Sequence, residues 1–156
     1  MSPASRSLIA LLVFFVLSFG AAFFGAQFAP GEWYAQLEKP FWNPPNWIFA
    51  PVWTLLYAAM AVAAWLVWRQ GSPARRAPLA LWLLQLTLNA LWSWIFFGLH
   101  QPGLAAVEIG LLWVAILTTS VFFWRVRPAA GALLLPYLAW VSFAAVLNLS
   151  LWLLNQ

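Results

Sequence analysis

Five apolar runs follow one another along the chain, and they constrain its fold more than any single motif does. Each run is close to the length of about 20 apolar residues that a helix needs to cross a bilayer. The runs are continuous, whereas a membrane β-barrel requires alternating segments of about 10 residues. The sequence therefore predicts an all-α integral membrane protein, a bundle of five transmembrane helices forming a single domain over residues 1–156. The predicted helices cover about residues 8–28, 46–68, 78–99, 104–124 and 130–154.

Composition agrees with this class and excludes several kinds of site. Hydrophobic residues make up 65% of the chain and charged residues 6%, whereas soluble domains carry roughly 25% charged residues. The absence of cysteine excludes disulfides, thiolate metal sites and a cysteine nucleophile. One histidine and three acidic residues are too few for a typical multi-ligand metal centre, so no metal site is predicted.

The basic residues predict the orientation in the membrane. Arginines flank the N-terminus and the second and fourth loops, whereas Lys39 is the sole basic residue of the other side. Because basic residues concentrate on the cytoplasmic side, we expect a cytoplasmic N-terminus and an outside C-terminus in a bacterial cell membrane. Topology and anionic membrane lipids account for these cations, so no nucleic-acid partner is expected. The arginines are Arg6, Arg69, Arg75, Arg76, Arg125 and Arg127.

The stretch Trp33–Tyr57, between the first two runs and into the second, is rich in aromatic residues and proline. Prolines remove backbone donors and stiffen the chain against helix formation, and tryptophan combines a large apolar face with one N–H donor. We therefore predict a non-helical extramembrane loop that forms the lid and upper wall of a binding site. Its tryptophans are Trp33, Trp42, Trp47 and Trp53, and its prolines are Pro40, Pro44, Pro45 and Pro51.

Polar and aromatic side chains recur at helical spacing inside three runs, so that each set shares one helix face. Two interpretations stay open: a cavity lined by aromatic rings and amides, or polar contacts between helices worth about 0.6 kcal/mol each. For Gln85 and Asn148 the helix-bridging interpretation is preferred. The sets are Trp53 and Tyr57; Gln85, Asn89 and Ser93; and Tyr137, Trp140, Ala144 and Asn148.

The remaining tryptophans and ionisable residues are assigned by position. Glu108, inside the fourth run, is read as a buried acid paired with an amide or as a protonated carboxyl, with a proton-coupled role as the alternative. His100 is read as a polar loop residue, with axial ligation of an iron porphyrin as the alternative. Tryptophans near predicted helix ends are expected to be interfacial anchors, and those further in are cavity candidates. The first group is Trp65, Trp68, Trp82, Trp124 and Trp152, and the second is Trp53, Trp92 and Trp140.

Several motifs resemble the tryptophan-rich sensory protein and translocator protein family, also known as TspO/MBR or the peripheral benzodiazepine receptor family, and its bacterial members in particular. The similarity covers essentially the whole chain in order. In the loop it rests on Trp33-Tyr34, Leu37-Glu38-Lys39-Pro40, Trp42-Asn43-Pro44-Pro45, Trp47 and Pro51-Val52-Trp53. In the helices it rests on Leu88-Asn89, Trp92-Ser93, Pro136-Tyr137-Leu138-Ala139-Trp140, Phe143-Ala144 and Leu147-Asn148.

This resemblance implies a membrane-embedded binding and sensory protein, commonly a homodimer, for porphyrins and benzodiazepine-type hydrophobic ligands. Protoporphyrin IX or haem would be a ligand, no cofactor would be required, and membrane lipids and hydrophobic small molecules would be its partners. The implied ligand-binding residues are Tyr34, Pro44, Phe49, Trp53, Tyr57, Asn89, Trp92, Ser93, Trp140 and Ala144.

Light-dependent degradation of protoporphyrin IX and transport of porphyrins or other amphiphiles stay open as alternatives. No conventional catalytic constellation is present, although Trp53 and Trp140 are candidate redox residues because indole is readily oxidised. The chain also departs from the family at two places. Residues 146–155 lack the tyrosine and basic residue of the cholesterol motif of mammalian members, and Phe41 and Asn46 stand where some bacterial members carry tryptophan and arginine.

Overall fold

The computed structural model describes residues 2–156, and this part of the chain is helical with no β-strand. Six α-helices are connected by short turns, three of which are helical themselves: 3₁₀ turns at Asn46–Ile48 and Pro73–Arg75, and a π-helical turn at Trp94–Gly98. The α-helices are α1 (Pro3–Ala26), α2 (Glu32–Gln36), α3 (Phe49–Trp68), α4 (Arg76–Ser93), α5 (Pro102–Val126) and α6 (Pro128–Leu154).

The prediction of five membrane-spanning helices is confirmed for the described residues. Helices α1, α3, α4, α5 and α6, with their helical turns, are long and apolar enough to cross a membrane. A side-chain cap explains where α1 begins. Ser2 caps α1, since its Oγ accepts a hydrogen bond of 3.1 Å from the backbone N–H of Ser5. Pro3 occupies the first turn, where proline costs no hydrogen bond, so that α1 begins about five residues before the predicted start.

The short helix α2 is a difference from the predicted non-helical loop. Helix α2 contains no proline and ends before Pro40, so each of its residues has a backbone N–H that can take part in a helical turn. After Leu37 the chain is extended or turned until Asn46, as the prolines predict. We call residues 27–48 the connecting segment.

The bundle packs around α3, α5 and α6. Helix α5 packs against α4 and α6, α1 packs against α3 and α4, and α3 closes the bundle against α6. The turn from α5 to α6 is so tight that a Cβ added at Gly131 would lie 2.8 Å from the backbone nitrogen of Trp124. Pro136 lies inside α6, which continues through it as one helix.

Trp82 was expected at the membrane interface, and that expectation is wrong. Its side chain is completely buried, its ring makes an edge contact with Phe14 at 5.4 Å, and its Nε1–H donates to the carbonyl of Met60 at 3.1 Å. The carbonyl gives the indole N–H a partner inside the bundle, so the ring does not need the wet interface. Trp82 therefore belongs to the core that joins α1, α3 and α4.

Candidate functional site

A cavity of about 600 Å³ lies inside the bundle at the end covered by the connecting segment. Its wall takes residues from the connecting segment and from α1, α3, α4, α5 and α6. Small-molecule sites typically measure about 300–1,000 Å³ and are mostly apolar. We call this space the inner cavity.

Most of the residues implied by the resemblance lie together on this wall. Those that line the inner cavity are Tyr34, Phe49, Trp53, Tyr57, Asn89, Trp92, Ser93, Trp140 and Ala144. Pro44 does not line it. Pro44 lies in a second, more open space of about 580 Å³ within the connecting segment, which we call the loop pocket. Tyr34 lines both spaces.

Aromatic rings cover one side of the inner cavity. Phe49 packs edge-on against Trp140 with ring centroids 5.8 Å apart. Trp53 lies 5.6 Å from Tyr57 and 6.2 Å from Tyr137, so its nearest ring partners are tyrosines of α3 and α6. These contacts place flat apolar faces around the cavity, a surface that favours aromatic ligands.

A buried chain of hydrogen bonds lies beside the aromatic wall. The hydroxyl of Tyr57 donates to Oδ1 of Asn89, and Nδ2 of Asn89 donates to the hydroxyl of Tyr137 at 2.9 Å. The chain joins α3, α4 and α6. Both ends of the Asn89 amide are thus engaged within the protein, so this residue shapes the cavity by fixing two tyrosines.

Asn148 forms a second bridge between helices. Its Oδ1 accepts a hydrogen bond from Nε1 of Trp92 at 2.9 Å, and its Nδ2 donates to the carbonyl of Pro102 at 2.8 Å. The helix-bridging interpretation of Asn148 is therefore confirmed, although the residue also lines the cavity. The bridge fixes the Trp92 ring, which stacks on Phe96 at 5.0 Å.

The indole N–H of Trp140 has no partner. Its Nε1 is buried and makes no hydrogen bond, while the residue lines the inner cavity. A buried donor without an acceptor costs about 1–3 kcal/mol, so this N–H is an unsatisfied polar group inside the bundle. None of the described residues on the cavity wall is Asp, Glu, Lys, Arg or His. The cavity is therefore suited to an uncharged, largely aromatic group.

The connecting segment is fixed to the bundle at separate points. The Trp33 ring stacks on His100 with centroids 4.4 Å apart and planes 16° apart, and Trp42 packs edge-on against Phe143 at 5.8 Å. His100 has a φ of 54°, a left-handed conformation that ends the turn before α5. Its ring is therefore engaged by Trp33, and His100 is not among the residues that line the inner cavity.

Lys39 organises the loop pocket. Its Nζ donates to the carbonyls of Tyr34, Ala35 and Leu37 at 2.6, 3.2 and 3.0 Å. These hydrogen bonds cap the C-terminal end of α2. The same Nζ lies 4.7 Å from the centre of the Tyr34 ring. Burial raises the pKa of the Tyr34 phenol, while its hydrogen bond to Asn43 acts in the opposite direction. The phenol is thus neutral at physiological pH.

Some cavity residues carry no sequence signal for this role. Ile109 and Leu112 of α5 line the cavity, but they are ordinary apolar residues of a membrane helix. Gly25 of α1 also lines the cavity, and small residues of this kind permit close helix contacts. A Cβ added there would lie 3.1 Å from Oγ of Ser93, so this glycine brings α1 against α4 at the cavity wall.

Glu108 is buried in α5, and neither of its carboxyl oxygens has a hydrogen-bond partner. The expected pairing with an amide is therefore not formed. Gln85 does bridge two helices, since its Nε2 donates to the Met60 sulfur of α3 at 3.7 Å, although its Oε1 has no partner. Neither residue lines the inner cavity.

Comparisons with known proteins agree with the motifs. Residues 9–153 match the TspO/MBR family. Protein CrtK of Rhodobacter capsulatus is 41% identical over 151 residues, which cover 96% of this chain and 94% of CrtK. The tryptophan-rich protein TspO of Archaeoglobus fulgidus is 41% identical over 145 residues, covering 93% of this chain and 94% of that protein. The human translocator protein is 45% identical over 136 residues, which cover 83% of this chain and 80% of that protein. The chain therefore belongs to the TspO/MBR family and is a multi-pass integral membrane protein.

Proposed function

We propose that the protein binds porphyrins, such as protoporphyrin IX or haem-type tetrapyrroles, and other aromatic hydrophobic molecules in the inner cavity, as a membrane-embedded binding and sensory protein. The observation that carries this proposal is a cavity of about 600 Å³ whose wall is rich in aromatic rings and holds no charged side chain among the described residues. Relatives that bear the names tryptophan-rich sensory protein and translocator protein add support.

The wall favours a flat aromatic ligand over a flexible aliphatic one. Aromatic rings in contact gain about 0.5–1.5 kcal/mol beyond the burial of their area, and the Phe49, Trp53 and Trp140 rings all line the cavity. A rigid planar ligand also loses little conformational freedom on binding.

Binding is tested by titrating the purified protein in detergent with protoporphyrin IX and following tryptophan fluorescence. We expect saturable quenching. Ala144 lines the cavity, so Ala144→Phe should fill part of it and weaken the affinity at least about tenfold, which corresponds to about 1.4 kcal/mol. Val146 is exposed on the outer face of the same helix, and Val146→Phe is the matched control.

The comparison of the two variants decides the location of the site. Unchanged affinity in both would contradict binding in the inner cavity, as would an equal loss in both. Non-saturable quenching in the unmodified protein would contradict specific binding altogether.

Light-dependent degradation of the bound porphyrin is the second candidate. The observation that favours it is that Trp53 and Trp140, two oxidisable indoles, line the same cavity. Under illumination in air, the Soret absorbance of bound protoporphyrin IX would fall faster than that of the free porphyrin in detergent. Trp140→Phe would slow this loss at saturating ligand. Equal rates for free and bound porphyrin would contradict this activity.

A further inference from the structure

We propose that the inner cavity and the loop pocket form one site with two compartments, in which the uncharged rings of a ligand occupy the inner cavity and its carboxylates lie in the loop pocket beside Lys39. The inference rests on the proposed function and adds the position of the ligand's charges. It makes Lys39 a specificity-determining residue for acidic ligands.

The two spaces are neighbours that share part of their walls. Pro30, Tyr34 and Asn46 line both of them. Tyr34 is buried between the two spaces, and its hydroxyl donates to Oδ1 of Asn43 across 3.4 Å, a long distance for an O–H donor. A weak contact of this kind can open without the loss of a strong hydrogen bond, so that a ligand can extend from one space into the other.

Charge decides which end of a ligand enters each compartment. An ionised carboxylate without a compensating partner is very costly to bury. The inner cavity offers no cationic side chain among its described lining residues. The carboxylates of a dicarboxylic porphyrin would therefore remain outside the inner cavity, where water and a cation are available.

Lys39 is the cation that the loop pocket provides. Its three hydrogen-bond partners are neutral carbonyls, which orient the ammonium without cancelling its charge. Every arginine of the chain lies at the opposite end of the bundle, as the positions of Arg6, Arg69 and Arg125 show. The acidic residues of this end, Glu32 and Glu38, do not line the loop pocket. Lys39 thus places a positive charge beside any anionic group in the loop pocket.

The test compares two ligands with the same ring system. Protoporphyrin IX carries two carboxylates, and its dimethyl ester carries none. We expect Lys39→Gln to weaken binding of the diacid several-fold, the scale of an ion pair that water partly screens, and to leave binding of the diester unchanged. Lys39→Arg should retain most of the affinity for the diacid. Added salt should weaken binding of the diacid alone.

The diester also controls for damage to the connecting segment, because Lys39 caps α2. An equal loss for both ligands in Lys39→Gln would mean that Lys39 only holds the connecting segment, and would overturn the inference. Unchanged binding of the diacid would overturn it as well. Failure of the unmodified protein to bind either ligand would instead contradict the proposed function.

Discussion

Asn155, next to the last residue of the chain, pairs with both backbone polar groups of Glu38. The Glu38 N–H donates to Oδ1 of Asn155 at 2.9 Å, and Nδ2 of Asn155 donates to the Glu38 carbonyl at 3.0 Å. This pair joins the end of α6 to the middle of the connecting segment. Since the segment covers the inner cavity, the pair holds the cover in place from a position 117 residues away in sequence.

We predict that Asn155→Ala loosens the connecting segment without unfolding the bundle. Each hydrogen bond contributes about 0.5–1.5 kcal/mol, so hydrogen–deuterium exchange of the backbone around Glu38 should accelerate by about tenfold. Ser150→Ala is the control, because the Ser150 hydroxyl bonds only to the Val146 carbonyl of its own helix. Exchange that is as slow in Asn155→Ala as in the control would show that the pair does not hold the segment.

The chain Tyr57–Asn89–Tyr137 should behave as one unit in stability measurements. Asn89→Leu leaves two buried tyrosine hydroxyls without their partner, at a cost of about 1–3 kcal/mol. Tyr57→Phe leaves Oδ1 of Asn89 without a donor. Thermal unfolding in detergent should show that the double variant loses less stability than the sum of the two single losses. Additive losses would contradict a coupled chain.

Gly131 and Gly110 provide a matched pair of helix glycines. A Cβ at Gly131 would meet the backbone of Trp124 at 2.8 Å, whereas a Cβ at Gly110 has nothing within 4 Å. Gly131→Ala should therefore destabilise the protein by about 1–3 kcal/mol. Gly110→Ala should be neutral or stabilise it by up to about 1 kcal/mol, since alanine favours helix. Thermal unfolding of both variants checks the pair, and equal melting temperatures would contradict the tight α5–α6 turn.

Glu108→Gln should not lower stability. Both carboxyl oxygens are buried without partners, so the substitution breaks no hydrogen bond and removes an ionisable group from the membrane interior. We expect an equal or higher melting temperature. Glu32→Gln, at an exposed position of α2, controls for the general loss of a negative charge. A clear decrease for Glu108→Gln alone would indicate that the carboxylate has a stabilising partner.

The spanning helices could be predicted because each depends on a local property. An apolar run such as Leu104–Trp124 has no stable alternative to a helix inside a bilayer, where every backbone group must be satisfied. The predicted helix ends were less accurate, because a capping residue such as Ser2 extends a helix beyond its apolar run into polar sequence. Helix α2 was missed because it is only five residues long and carries no apolar period.

Long-range contacts could not be derived from local patterns. Trp82 carries the same sequence signal as an interfacial tryptophan, and only its contact with the Met60 carbonyl places it in the core. The stack of Trp33 on His100 and the pairing of Asn155 with Glu38 join residues far apart in the chain. The aromatic wall was easier to predict, because Trp53 and Tyr57 share one face by helical spacing.

The central claim is that an aromatic ligand lies in the inner cavity against Trp140, and the indole N–H resonance of Trp140 tests it most directly. In protein labelled with ¹⁵N-tryptophan, Trp140→Phe identifies the resonance by its loss. Trp124, half exposed at the opposite end of the bundle, provides the reference. On titration with protoporphyrin IX, the Trp140 signal should shift or broaden saturably while the Trp124 signal stays in place. A Trp140 signal that does not change as the porphyrin binds would contradict the account.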